Sequence, residues 1–133
     1  MNPVVHFEIP YVNRDRMAAF YRKTFGWGLQ MLGPEMGNYV VATTATSDAK
    51  PGAPAGAIGG GFFERKADWP DQYPSVVIAV QDVAQAMRKV RDAGGEVLGE
   101  PMDIPGVGRY VSFRDTEGNR LSILQPLPMS GGA

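Results

Sequence analysis

The sequence predicts an α+β fold built from one unit used twice, each unit a strand, a helix and three further strands. Three observations carry this. Asn13 and Asp82, 69 residues apart, both precede helical stretches, and those stretches end at Gly26 and Gly95, again 69 residues apart. Gly37-Asn38-Tyr39-Val40 is answered 71 residues later by Gly108-Arg109-Tyr110-Val111. Between the halves, 64–74 combines charge, proline and aspartate in a way that suits neither strand nor helix. A repeat of this length is a whole supersecondary unit, and units too small to close a core pack on one another.

In order, Val4–Pro10 is short, β-branched and aromatic, and reads as a strand stopped by proline. Asn13 can cap the next helix by accepting from an orphan backbone N–H. Met17, Phe20, Tyr21 and Phe25 follow at helical spacing, with Gly26 as the stop. Trp27–Leu32 and Asn38–Thr43 read as strands. Thr44–Pro54, rich in Thr, Ser, Pro and Gly, reads as an exposed hairpin loop, and Ala57–Phe63 as a strand weakened by glycine. The second half repeats the order. Ser75–Val80 is a continuous apolar strand, and Asp82 caps a helix with Val83, Ala86, Met87 and Val90 on one face. Glu96–Leu98, Tyr110–Arg114 and Leu121–Gln125 are strands, with a turn at 115–119 in which Gly118 supplies positive φ. The tail 127–133 is expected to be frayed and flexible. The whole of 1–133 therefore reads as a single domain, with module 1 at about 1–63 and module 2 at about 75–126. One helix per unit covers one sheet face; the other must find a partner or hold a ligand.

Composition narrows the function. Thirteen basic against fourteen acidic residues give a net charge of −1, which offers no electrostatic reason to expect nucleic acid or an anionic membrane as partner. With no cysteine, disulfides, thiolate metal sites and cysteine nucleophiles are excluded. No apolar run has signal-peptide or membrane-spanning length, which predicts a cytoplasmic protein.

Val5-His6-Phe7-Glu8-Ile9-Pro10, Phe20-Tyr21 with Phe25-Gly26-Trp27, and Gly108 to Asp115 followed by Glu117-Gly118-Asn119 resemble the vicinal oxygen chelate superfamily. That superfamily groups glyoxalase I, bleomycin-resistance proteins and extradiol dioxygenases. The resemblance covers roughly Val4–Pro126. It implies two βαβββ modules forming a half-open barrel around a cavity, usually in a homodimer, and in the enzymes a divalent metal held by His, Glu or Gln from strands of both modules.

His6 stands at the first-strand ligand position and is the only histidine. The repeat projects it onto Ser75, the last-strand ligand position falls at Ser122, and the corresponding first-module strand offers Gly59-Gly60-Gly61. A divalent ion needs several converging donors, and a neutral serine hydroxyl is a poor one. No cofactor is therefore expected; the alternative is Zn, Ni, Fe or Mn on His6 and Glu8, with Glu64 or Glu96 supplying further oxygen. Glu8 is two residues from His6, so alternation puts both on one strand face.

His6 and Glu8 are the candidate catalytic pair, acting as general acid and base, or else a hydrogen-bonded pair on the cavity wall. Tyr110, Ser112, Ser122 and Ser75 are the candidate ligand-binding residues. Trp27, Tyr39, Phe62, Phe63, Tyr110 and Phe113 can stack on a planar ligand or pack the core; Tyr39 and Tyr110 are repeat equivalents, so one can line the cavity while its twin packs. The glycine run does not lead into a helix N-terminus, which disfavours a phosphate cradle and points to close backbone approach or a bulge. Arg109, Arg114 and Arg120, around the final hairpin, can attract a carboxylate or form a solvated face. Three function classes follow: a binding or resistance module for a small apolar or aromatic molecule, a metal-dependent lyase, isomerase or dioxygenase, and a structural or regulatory partner whose cavity is vestigial.

Overall fold

The structure, a computed structural model, describes residues 1–45 and 58–128. Most of the expected hairpin loop and the end of the tail lie outside the described residues. The elements are β1 (Val4–Tyr11), α1 (Arg14–Phe25), β2 (Gly28–Met31), a 3₁₀ turn (Pro34–Met36), β3 (Val40–Thr43), β4 (Gly60–Glu64), β5 (Ser75–Ala79), α2 (Val83–Asp92), β6 (Glu96–Ile104), β7 (Gly108–Arg114) and β8 (Arg120–Pro126). This is βαβββ twice, the α+β fold expected.

The chain forms two compact units. One is His6–Pro74; the other joins Met1–Val5 to the chain from Ser75 onward. β1 crosses the division, and in the second unit the Pro3 carbonyl accepts from the Ala79 N–H at 2.9 Å.

In the first module the strand order is β2-β3-β4-β1. β1 and β4 run parallel, with Phe7 beside Gly60 and Glu8 beside Gly61; β3 is antiparallel to both β4 and β2. The second module has order β5-β8-β7-β6, with Val77 beside Ser122 across the parallel pair and Ser112 beside Ser122 across the antiparallel one. The registers make the repeat exact to the residue: Gly61 corresponds to Ser122, Phe62 to Ile123 and Val40 to Val111.

Each helix begins as its cap chemistry requires. The Asn13 side chain accepts from the Arg16 N–H at 2.9 Å, and Asp82 from Gln85 at 3.1 Å. α2 has a second cap from the sheet, where Gln125 Oε1 accepts from the Val83 N–H at 2.9 Å. α1 ends at Gly26, whose left-handed backbone lets its N–H return to the Arg22 carbonyl.

The two cores differ in kind. In module 1, Phe62 is fully buried among Tyr11, Val40, Ala42, Phe7, Tyr21 and Trp27, with Tyr21 and Trp27 stacked at 4.8 Å. In module 2 the core is Val80, Val83, Met87, Val111 and Ile123. Each such side chain contributes roughly 1.5–3 kcal/mol by leaving water.

Two expectations need correction. β1 continues past Pro10 to Tyr11, because proline's fixed φ still fits an extended chain. β6 runs to Ile104 rather than ending at Leu98. Its middle crosses Gly99, at φ 88°, and a register shift between Leu98 and Met102, so Gly99 and Pro101 disguise strand as turn. After Glu64 the linker is irregular, as expected, and a side chain ties it together. Buried Gln72 accepts from the Lys66 N–H at 2.6 Å and donates to the carbonyls of Lys66 and Trp69.

Candidate functional site

Alternation along β1 sends Phe7 and Ile9 to the helix-side core and His6 and Glu8 to the opposite face. Tyr39 joins them there. The Tyr39 hydroxyl donates to Glu8 Oε2 at 2.8 Å and lies 3.0 Å from His6 Nε2. A phenol has one hydrogen, and Glu8 takes it, so the Tyr39 oxygen accepts from His6 Nε2–H. This hydrogen-bond count assigns neutral His6 to the Nε2–H tautomer. Burial lowers the His6 pKa below its ordinary value of 6.5, which favours that neutral form.

The sequence places Tyr39 by chain reversal. After the 3₁₀ turn, Gly37 and Asn38 both adopt left-handed backbone, at φ 66° and 57°. The Asn38 carbonyl accepts from the Tyr11 hydroxyl at 2.7 Å, and the Tyr39 carbonyl from the Leu32 N–H at 2.9 Å. The tyrosine thus starts from a fixed backbone.

Its other determinant is a missing side chain. A β-carbon on Gly61 would fall on the Tyr39 hydroxyl and ring carbons. A β-carbon on Gly60 would stand 2.5 Å from the ring and the carbonyl of Phe7. The two glycines therefore serve opposite faces: Gly60 admits Phe7 to the core, and Gly61 admits Tyr39 above the His6–Glu8 pair. β4 keeps regular register, so the glycine run marks close approach by side chains rather than a bulge.

Module 2 has its own cluster on the face away from α2. The Tyr110 hydroxyl is 2.6 Å from Ser122 Oγ, which is 3.2 Å from Ser112 Oγ. Ser112 and Ser122 are 6% and 4% exposed. Arg120 donates to Ser112 Oγ at 3.2 Å. Ser75 is half-buried and shares this face by alternation, without a side-chain bond to the cluster. Tyr110, Ser112 and Ser122 are thus brought together, as are His6 and Glu8, and the two sets belong to different modules. Of the other aromatic candidates, Trp27 and Phe62 sit in the first core and Phe113 packs against the second.

The side chains present do not fit the superfamily's usual divalent metal. His6 Nε2 bonds to Tyr39, and the β4 position is a glycine covered by that tyrosine. Glu64 pairs with Lys66 at 3.2 Å, and Glu96 with Arg114 at 2.9 Å. Among the described residues, no three His, Asp or Glu side chains are placed to hold a metal ion.

The family model described as Glyoxalase/Bleomycin resistance protein/Dioxygenase superfamily matches residues 4–123. The chain is 31% identical over 122 residues to the anthracycline biosynthesis protein DnrV of Streptomyces peucetius, covering 86% of this chain and 43% of that one. It is 30% identical over 121 residues to a glyoxylase-like domain-containing protein of Didymella fabae, covering 87% and 88%. It is also 38% identical over 69 residues to CFP32 of Mycobacterium tuberculosis, covering 52% of this chain and 26% of that one. The chain thus spans about a quarter of CFP32 and under half of DnrV. In fold it is similar to methylmalonyl-CoA epimerase from Mycobacterium tuberculosis, with TM-score 0.68, 15% identity and coverage of 98% and 91%. The Streptomyces coelicolor epimerase is similar too, with TM-score 0.67, 20% identity and coverage of 94% and 97%. By the match over nearly its whole length and the two βαβββ modules that carry it, the chain belongs to the Glyoxalase/Bleomycin resistance protein/Dioxygenase superfamily.

Proposed function

We propose that this protein is a cytoplasmic, homodimeric binding module for a small apolar or aromatic molecule, working without the superfamily's usual divalent metal. One observation carries the reading: the Tyr39 hydroxyl covers Gly61 and already joins His6 to Glu8. The polar groups are thereby held by one another, and orienting a ligand falls to a few hydrogen bonds while apolar walls bury it. The relative named for anthracycline biosynthesis supports an aromatic ligand. Ser122, Tyr110, Ser112 and Ser75 are the proposed ligand-binding residues of module 2.

A second reading has its own support. A neutral histidine, a phenol and a carboxylate in one hydrogen-bonded row can pass a proton, so an isomerase or lyase using His6 and Glu8 is the alternative.

Native mass spectrometry and elemental analysis of protein purified without added metal test both. The binding reading expects a dimer, well under one metal equivalent, and no fall in melting temperature with chelator, since losing a tightly bound ion would be visible. Stoichiometric metal lost together with His6→Ala would overturn it. A co-purified or screened aromatic compound should bind His6→Ala more weakly by about 1–3 kcal/mol. Unchanged affinity with a large drop in melting temperature would make His6 merely structural. Turnover of that compound, abolished in His6→Ala, would establish the enzyme.

A further inference from the structure

We propose that module 2 carries a carboxylate-binding site centred on Arg120, a site that stands independently of the reading of His6 and Glu8. Glu96, Arg114 and Arg120 are successive cross-strand partners on β6, β7 and β8. Two guanidinium groups directly opposite one another repel. Glu96 compensates Arg114, with Nη1 to Oε1 at 2.9 Å. On the other face of β7, Arg109 is paired with Asp103 at 3.2 Å.

Among the described residues, Arg120 has no carboxylate partner. The nearest acids in sequence are engaged elsewhere. Asp115 accepts from the Glu117 and Asn119 N–H groups and from the Asn119 side chain, and Glu117 accepts from Thr116 Oγ1. Arg120 is half-buried as a residue, and its guanidinium makes a single bond, to Ser112 Oγ. Behind that bond lie the nearly buried hydroxyls of Ser112 and Ser122 and then Tyr110. On β5, Ser75 stands two residues before Val77, as Arg120 stands two before Ser122, Val77's register partner, which sets the two residues at matching places on neighbouring parallel strands.

The arrangement selects a class of ligand. One uncompensated positive charge matches a monoanion. A guanidinium presents parallel N–H donors in a plane, which suits a carboxylate. Lys89, the module's one lysine, lies on α2 and brings no second point charge to this face for a phosphate dianion. The site therefore takes the carboxylate of a small organic acid, with Arg120 as its fork and Ser112 fixing the fork's orientation.

Benzoate is the probe, titrated into the ¹⁵N-labelled full chain and followed by NMR. Saturable shifts are expected at the Arg120 Nε–Hε and the Ser112 and Ser122 amides, at an affinity of about millimolar. Arg120→Gln should weaken binding at least about tenfold. Arg120→Lys, which keeps the charge and loses the fork, should fall between, and it carries the test should Arg120→Gln not fold. Arg109→Gln, the same charge change on the opposite face, should bind as wild type. The proposal is overturned by undiminished binding in Arg120→Gln or Arg120→Lys, or by equal weakening in Arg109→Gln. Benzamide binding as tightly as benzoate would show apolar association instead. Inorganic phosphate bound at Arg120 more tightly than benzoate would show the class to be wrong.

Discussion

Tyr39 and Tyr110 occupy equivalent places in the two modules and end in different chemistry. Tyr110 rises from β7 and Tyr39 from the residue just before β3, and each reaches across its module's last strand on the face away from the helix. In module 2 the hydroxyl meets Ser122 Oγ at 2.6 Å. In module 1 the equivalent of Ser122 is Gly61, and the hydroxyl lies where a side chain would begin. It continues to Glu8 and His6, whose counterparts in module 2 are Val77 and Ser75. One side chain, present or absent on the last strand, decides whether the tyrosine ties off locally or joins two ionisable groups.

The sharpest way to break this comparison is Gly61→Ala. Overpacking costs about 1–3 kcal/mol, and displacing Tyr39 strands its partners for a similar amount, so the loss should be roughly 3–4 kcal/mol by chemical denaturation. In a Tyr39→Ala background the same substitution should cost little; strictly additive losses would mean that the tyrosine does not occupy the glycine's space.

Next in size is the pair of phenol deletions. Tyr39→Phe deprives a carboxylate of a donor and a histidine of an acceptor, and should destabilise by about 2 kcal/mol. Tyr110→Phe removes a neutral bond between hydroxyls and should cost about 1 kcal/mol. Equal losses would erase the distinction between the modules.

The smallest effect is on pH. His6 is the one histidine, so its ring proton is a single resolved reporter. Burial lowers its pKa in the folded chain, so the unfolded chain takes up the proton first as pH falls below 6.5. The unfolded state then binds more protons, and stability declines from there down through the folded value. His6→Gln should remove that increment of acid sensitivity. A folded-state histidine titrating above 6.5 by NMR would reverse the sign.

Much of this was legible before the structure. Asn13 and Asp82 announce helix starts because capping is local chemistry, and the 69-residue offset carries one module's reading to the other. That His6 and Glu8 share a strand face follows from alternation alone. Tyr39 was readable as a wall or core residue, but its part in the cluster depends on the register of β3 against β4 and on backbone at Asn38, which no local pattern reports. A signal existed: a tyrosine conserved across the repeat where its partner strand changes from serine to glycine. The strand signal of β6 fades after Leu98 because Gly99 and Pro101 are turn-like residues placed inside an irregular strand. Arg120 looked like one of three hairpin arginines until the ion pairs singled it out.

The tyrosine seated on Gly61 also constrains how this lineage can change. A liganding glutamate at position 61, the kind of residue the superfamily's metal enzymes direct inward from such a strand, cannot enter while Tyr39 keeps this position, and removing Tyr39 first leaves His6 and Glu8 without their shared partner. Either single step passes through a weakened protein. The two positions are bound by epistasis, and the route between this arrangement and a metal-binding one requires paired substitutions rather than gradual exchange.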